Sequence, residues 1–290
     1  MQQRLICQLF VITICSKHLF LQLIYSCMMR VVLLLSCIFS ITVISCSNAD
    51  VKNETIATGK ESELRQQVAQ YPDSLLLKEN LVQYFREKGD YKLALKEADN
   101  VVTTDSMNDR FYDIKATLYF EDGDTINAIR AFEKAISINP QPEYIISLGS
   151  LYAQTKNPMA LQMADALLHA PSANAQKQAL FIKGLYLSSI GEKVKAITFF
   201  NACLKLDFHD LFAYREKAIC LYNLGKYTTA IDELKKAVAV KNTYDEGYYW
   251  MGRCYEKLGD KKQAGESYQQ ALQIDPDYEE AKAALKQLSN

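Results

Sequence analysis

Apolar positions along this chain fall into two helical rhythms separated by a break. Tyr248, Met251, Gly252 and Tyr255 stand at i, i+3, i+4 and i+7, which places them on one face of an α-helix. Lys257-Leu258-Gly259-Asp260 interrupts the rhythm, and a glycine there suits a helix C-terminus that needs positive φ. Ala264, Tyr268, Ala271 and Leu272 resume it as a second helix, and Pro276 stops that helix, because proline cannot continue one. The unit is a helical hairpin. Its small residues, Gly252, Ala264 and Ala271, let two helix backbones approach closely, with Tyr248, Tyr255 and Tyr268 filling the flanks.

The same break recurs with a glycine followed five places later by an alanine. The glycines are Gly89, Gly123, Gly191, Gly225 and Gly259, spaced by 34 residues except for one gap of 68 that hides a degenerate copy. A fixed period of this size predicts a stack of repeated hairpins.

The pattern resembles the tetratricopeptide repeat, which reads W-x-x-L-G-x-x-Y, then A-x-x-x-F-x-x-A and a late proline. Copies are expected at 75–108, 109–142, 143–176, 177–210, 211–244 and 245–278. The copy from 109 carries Tyr112, Ala116, Tyr119, Gly123, Ala128, Phe132, Ala135 and Pro140 at matching places, and the copy from 177 carries Gly184, Leu187, Gly191, Ala196, Phe200 and Cys203. No tryptophan occupies the family's first position; Trp250 sits two places later. The copy 143–176 departs. Gly149 and Tyr152 come one place early, Pro158 is expected to start the second helix, and the linker from His169 to Gln176 looks longer than in other copies. A local change in pitch or a hinge is expected there.

The resemblance implies an all-α fold: a right-handed superhelical solenoid of antiparallel helix pairs over 59–290, with about six repeats and a capping helix at each end. At the N-terminal end Thr58-x-x-Glu61 is a capping-box pattern, and Leu64 and Val68 fall where a second helix would lie. At the other end Asp277 is placed to cap a helix over 279–290, on which Ala281, Ala284, Leu285 and Leu288 form one apolar stripe.

The first 58 residues follow no such frame. Arg30 precedes an apolar run from Val31 to Ile44, too short for a comfortable membrane span, and residues 1–45 read as a signal region. Val43-Ile44-Ser45-Cys46 resembles the lipobox of bacterial lipoproteins. That resemblance implies a diacylglycerol on the Cys46 thiol, cleavage just before it, acylation of the new N-terminus, and stable anchoring by several acyl chains. It places the protein in the bacterial cell envelope, lipid-anchored at the outer membrane. An ordinary signal peptide or signal anchor with a chance cysteine is the alternative. Residues 1–27 fit no single signal: either translation starts at Met28 or Met29, or residues 5–27 are a hydrophobic segment in their own right. Residues 46–58 read as a flexible tether, and the Asn53-Glu54-Thr55 glycosylation triplet within it has no role in a bacterial lipoprotein.

Composition narrows the chemistry. Of 290 residues 49% are hydrophobic and 23% charged, the balance of a folded protein. Three of the 33 bases and none of the 34 acids lie in residues 1–45, so the remainder is mildly acidic and carries no basic stripe for nucleic acid. Five of the eight cysteines lie in the N-terminal region. Cys203, Cys220 and Cys254 take small packing positions of their repeats and read as buried free thiols. No CxxC pair supports a disulfide framework or a zinc site. His169 and His209 lack companions at catalytic spacing, and no HExxH, GxSxG or phosphate loop occurs. An enzyme, a cofactor and a metal are therefore not expected. The triplets starting at Asp73, Asp105 and Asp124 resemble a bacterial O-glycosylation pattern, and equally the ordinary cap residues of helices.

Stacked repeats offer a groove for an extended segment or helix of a protein partner, so the expected role is a membrane-anchored scaffold or assembly adaptor. The alternative is a ligand- or glycan-capturing envelope lipoprotein, a class that adds a large loop-rich binding domain missing here. In the resembled family the second, fifth, ninth and twelfth places of each first helix face the groove. These are Phe181 and Leu185, then Phe212, Arg215, Ile219 and Tyr222, then Tyr249 and Arg253. Earlier copies hold the mostly polar Glu79, Gln83, Arg86, Arg110, Asp113 and Thr117 there. The C-terminal half thus presents either an exposed aromatic surface with two arginines, the makeup of a binding hot spot, or side chains packed on one another by tight curvature. Of the Lys, Asn and Arg set with which some repeats hold chaperone C-termini, Asn80 alone has a counterpart here.

Overall fold

The structure, a computed structural model, describes residues 49–169 and 172–288. Cys46, the signal region 1–45 and both candidate start residues lie outside the described residues. Fourteen helices and no strand occur among those described: α1 Ala49–Gln70, α2 Leu75–Glu87, α3 Tyr91–Thr104, α4 Asp109–Glu121, α5 Thr125–Ile138, α6 Pro142–Gln154, α7 Met159–Leu168, α8 Ala173–Ser189, α9 Lys193–Leu206, α10 Leu211–Asn223, α11 Tyr227–Val240, α12 Asp245–Lys257, α13 Lys261–Ile274 and α14 Glu279–Leu288. The even-numbered helices from α2 to α12 are the first helices of the six repeats, and α3 to α13 the second. This is an all-α solenoid of helix pairs.

The chain divides into two compact units, residues up to 77 and residues from 78 onward. The first contains α1, and here the tether expectation needs correction. Residues 49–58 are helical and continuous with the segment expected to start at Thr58. No proline lies between Cys46 and Pro72, and Gly59 is the sole glycine in that interval, so nothing stops the helix before Gln70.

In the second unit every in-frame glycine that ends a first helix has positive φ, from 70° at Gly89 to 94° at Gly191, the conformation only glycine adopts without strain. The next residue caps the following helix where it is aspartate. Asp90, Asp124 and Asp260 each accept a hydrogen bond, at 3.0 Å, from the backbone N–H of Leu93, Asn127 and Gln263. Asp124 thus serves as a cap within its triplet. Ser74 Oγ accepts from Leu77 N at 3.4 Å, and Asp105 accepts from Met107 N at 3.2 Å, so all three triplets do turn work.

The small residues explain the close packing. Ala94, Ala128, Ala196, Ala230 and Ala264 are fully buried at one repeat position, and Ala135, Cys203, Ala237 and Ala271 at another. On the first helices a Cβ added at Gly184 would lie 2.7 Å from the Phe200 ring, and at Gly252 2.5 Å from the Tyr268 ring. A glycine on one helix is therefore the seat for an aromatic ring on its partner.

The degenerate repeat keeps this logic out of frame. Lys156 (φ 61°) takes the turn position one residue early, and Pro158 stands immediately before α7, which is only 10 residues long. The long linker expected after it is absent. Ala173–Gln176 form the first turn of α8, started by Ser172, whose side chain accepts from Ala175 N at 3.4 Å. The repeat beginning at 177 in the sequence frame therefore begins one turn earlier. The core runs through the irregularity unbroken: Ala116, Phe132, Leu148, Leu167 and Ile182 share one buried cluster. At the C-terminal end, α14 lays Ala281 and Ala284 against Tyr249 and Tyr268, closing the apolar face. Asp277 does not act as the expected cap; it pairs with Lys282 at 3.6 Å.

Candidate functional site

The groove residues of the first helices divide into a paired polar half and an aromatic half. In the N-terminal half, charges bridge successive first helices. Arg110 pairs with Glu79 at 2.5 Å, and Arg86 pairs with Glu121. At the next junction Tyr144 Oη donates to Asp109 at 3.1 Å. Beside it lies a cleft of about 330 Å³ between α4 and α6, lined by Phe120, Ile146, Ser147 and Ser150. Phe120 is exposed, and the sequence frame did not single it out although it occupies a twelfth place.

In the C-terminal half the expected aromatic surface is only partly open. Phe212 is 59% exposed, with the Arg215 guanidinium 5.2 Å from its ring centroid. Phe181 is half-buried against Phe200, ring centroids 5.7 Å apart, and Leu185 packs into the same core. Ile219 and Tyr222 are half-buried. Tyr249 is a correction: at 8% exposure it belongs to the core, packed on Tyr268 and Tyr278 with centroids 5.8 and 5.1 Å away. The reason is α14, whose small face at Ala281 and Ala284 draws the Tyr249 ring inward.

The two arginines differ in setting. Arg215 donates to both carboxylate oxygens of Glu246, at 2.8 and 2.6 Å, and also pairs with Glu216 at 3.0 Å. Burial works against its charge, but Glu216 and Glu246 outweigh it and raise the guanidinium pKa. Burial raises the Glu216 carboxyl in turn, with Arg215 opposing. The Arg215–Glu246 pair couples α10 to α12. Arg253 stands 5.8 Å from each of the Tyr222, Tyr249 and Trp250 ring centroids and donates to Tyr249 Oη at 2.9 Å. With Glu256 beside it on α12, it lines a cleft of about 500 Å³ between α12 and α14, with Glu280, Ala283 and Gln287 opposite.

An open cleft of about 750 Å³ lies on the edge where second helices return to first helices. Phe212, Tyr278, Asp210, Asp245, Glu246 and Glu280 line it. Phe208, 62% exposed, lies in the loop just before it. The groove frame missed Phe208 and Tyr278 because they sit in loops outside the helical positions it counts.

The three body thiols are buried, as their packing positions predict. Burial pushes Cys203 and Cys254 up to about 12 and raises Cys220, whose thiol lies 3.3 Å from Ser188 Oγ. Among the described residues no group of three or more His, Cys, Asp or Glu is placed to hold a metal, and no helix is long and apolar enough to cross a membrane.

The chain is similar to known proteins along most of its length. A family profile for the tetratricopeptide repeat matches residues 109–142 and 177–210, a second matches 246–278, and a TPR repeat profile matches 221–259. A tetratricopeptide repeat protein from Parabacteroides merdae superposes with a TM-score of 0.69 at 22% identity, over 85% of this chain and 97% of that one. PilW, a widely conserved type IV pilus biogenesis factor, gives 0.58 at 21% identity, over 74% and 97%. Stress-induced-phosphoprotein 1 of Caenorhabditis elegans is 21% identical over 250 residues, 74% of this chain and 77% of that protein. Other curated relatives are longer, and the chain spans 22% of one of them. Residues 109–142, 177–210 and 246–278 are thus recognised as tetratricopeptide repeats, set within an all-α solenoid of helix pairs.

Proposed function

We propose that this chain is a non-enzymatic, lipid-anchored scaffold or assembly adaptor of the bacterial cell envelope that holds a segment of a protein partner against its first-helix face. The observation that carries the interaction is Phe212: a large ring, 59% exposed, stacked under a fixed arginine at the mouth of the open return-edge cleft. Exposed aromatics beside arginine are the residue types that dominate binding energy at interfaces. The clefts between α4 and α6 and between α12 and α14 add seats for side chains of an extended segment along the same face. The anchor rests on Cys46 and the apolar run before it, as read from the sequence.

A photo-crosslinking side chain placed at Phe212 in living cells, with one at Asp232 on the outer face of α11 as control, tests the reading. A discrete adduct from position 212 that is absent from position 232 is the expected result. Identical adducts from both positions, or none from 212, would remove the groove from the proposal. Tyr249→Ala does not serve as a probe, because truncating that buried ring lowers stability and confounds capture.

A further inference from the structure

The two edges of the second unit carry opposite charge in its C-terminal half. The return edge, residues 206–212, 240–246 and 274–280, holds eight carboxylates against one lysine. The turn edge, residues 190–195, 224–229 and 257–262, holds six lysines against two carboxylates. Each edge also exposes apolar side chains: Leu206, Phe208 and Phe212 on the return edge, Ile190, Leu224 and Leu258 on the turn edge.

Capping chemistry explains part of this. Asp210 caps α10, accepting from Ala213 N at 3.0 Å, and Asp207 holds Lys177 at 2.9 Å. It does not explain why the tips of three successive turns are aliphatic, nor why two phenylalanines stand in solvent beside the acidic cleft. Lys226, Lys257 and Lys261 take part in no ion pair among the described residues.

The two edges also share a period. Ile190, Leu224 and Leu258 are 34 residues apart, and so are Asp207, Lys241 and Asp275 on the return edge. Both edges belong to the same helix pairs. A copy displaced along the helix axes without rotation therefore sets the turn of each helix pair against the return loop that follows that pair, at the same 34-residue period.

We propose that the return edge of one molecule receives the turn edge of a second copy of this chain. In this register Ile190 of the second copy meets Phe208 and Phe212, Lys226 meets the carboxylate of Asp245, and Lys257 and Lys261 meet those of Asp275 and Glu280. The contact joins two different surfaces, so it is heterologous and leaves a free edge at each end. It grows into an open stack unless a rotation closes it. Exposed opposite charges make it strong at low salt and weak at high salt. Phe212 borders both this edge and the first-helix face, so the two readings share that one ring and are told apart by what contacts it.

Sedimentation velocity of the full chain in density-matched non-ionic detergent tests it. The expected result is a mass that rises with concentration at low salt and returns to that of the protomer at high salt. The triple variant K226E/K257E/K261E and the double variant D245K/E280K are each expected to stay monomeric. Mixed in equal amounts they pair, because one keeps an intact return edge and the other an intact turn edge, and growth stops at the dimer. I190S/F212S, which changes no charge, is expected to weaken association by about tenfold or more and guards against a misfolded charge variant. A wild-type chain that is monomeric at low salt, charge variants that still associate, or a mixture that fails to pair would each overturn the proposal. A monomeric wild type whose return edge takes up an oligolysine probe would overturn it in favour of a separate basic partner. The groove reading is tested separately by the identity of the adduct at Phe212: an adduct with a different protein supports the groove, and an adduct with a second copy of this chain belongs to the stack.

Discussion

Gly252 leaves no room for a side chain, since a Cβ there would lie 2.5 to 2.9 Å from three carbons of the Tyr268 ring. That ring cannot yield, because it is fully buried and its hydroxyl donates to Glu256. Gly252→Ala is therefore expected to cost roughly 1–3 kcal/mol by overpacking, although alanine is the better helix former. Thermal melting measures this, and an unchanged melting temperature would mean that α12 and α13 are not seated as described. Glu233 shows charge pinned at the same scale. It is nearly buried in the hairpin of α10 and α11 and receives Lys217 at 2.9 Å and Lys236 at 2.8 Å. Burial alone would raise its carboxyl, but the two lysines outweigh burial and hold it below its ordinary value of 4.5. Its stabilising contribution is accordingly present above that value and fades as pH falls through the lowered one.

Among the elements, the turn between α6 and α7 is the one that breaks the rule kept by the five glycine turns. Lys156 adopts φ 61°, where a side chain crowds the backbone at a cost of about 1–2 kcal/mol. Lys156→Gly is expected to recover part of that cost and raise the melting temperature by about 2–4 °C. A lower melting temperature would show that the lysine side chain contributes more than its strain removes. The helices of the regular repeats were legible because their signals are local: a 3.6-residue rhythm, a glycine at the break, an aspartate after it. The extra turn of α8 was not. Ser172 and Ala173 read as linker, and burial of Ala175 in the shared cluster is what makes that turn helical. The start of α1 was missed for the opposite reason: no breaker precedes Gly59, but no apolar rhythm announces a helix either.

At the scale of the whole molecule, each repeat packs only on its neighbours, so the ion pairs between first helices hold the stack one junction at a time. Glu79–Arg110 and Glu246–Arg215 are two such pairs at distant junctions. In the lipoprotein proposal, the N-terminal region decides where the stack is held in the cell. Cys46→Ser is expected to block lipid attachment and cleavage, so that a larger precursor accumulates. A Cys46→Ser protein that matures and partitions into membranes like the wild type would end the lipoprotein proposal.

The sequence by itself determined the helix pairs, their 34-residue period, the positions of the small residues and the apolar stripe of α14. All of these follow from short-range periodicity and backbone chemistry, which neighbours in the chain can specify. The groove residues were named correctly as first-helix positions, but their exposure was not readable. Phe212 at a second place and Tyr249 at a fifth both count as groove positions, yet one stands in solvent and the other is buried. The difference is what lies beside each: Phe212 borders an open cleft at the return edge, whereas Ala281 and Ala284 of α14 pack against Tyr249. Exposure and the separation of charge onto opposite edges depend on which helix lies next to which in space, and only the tertiary structure decides that.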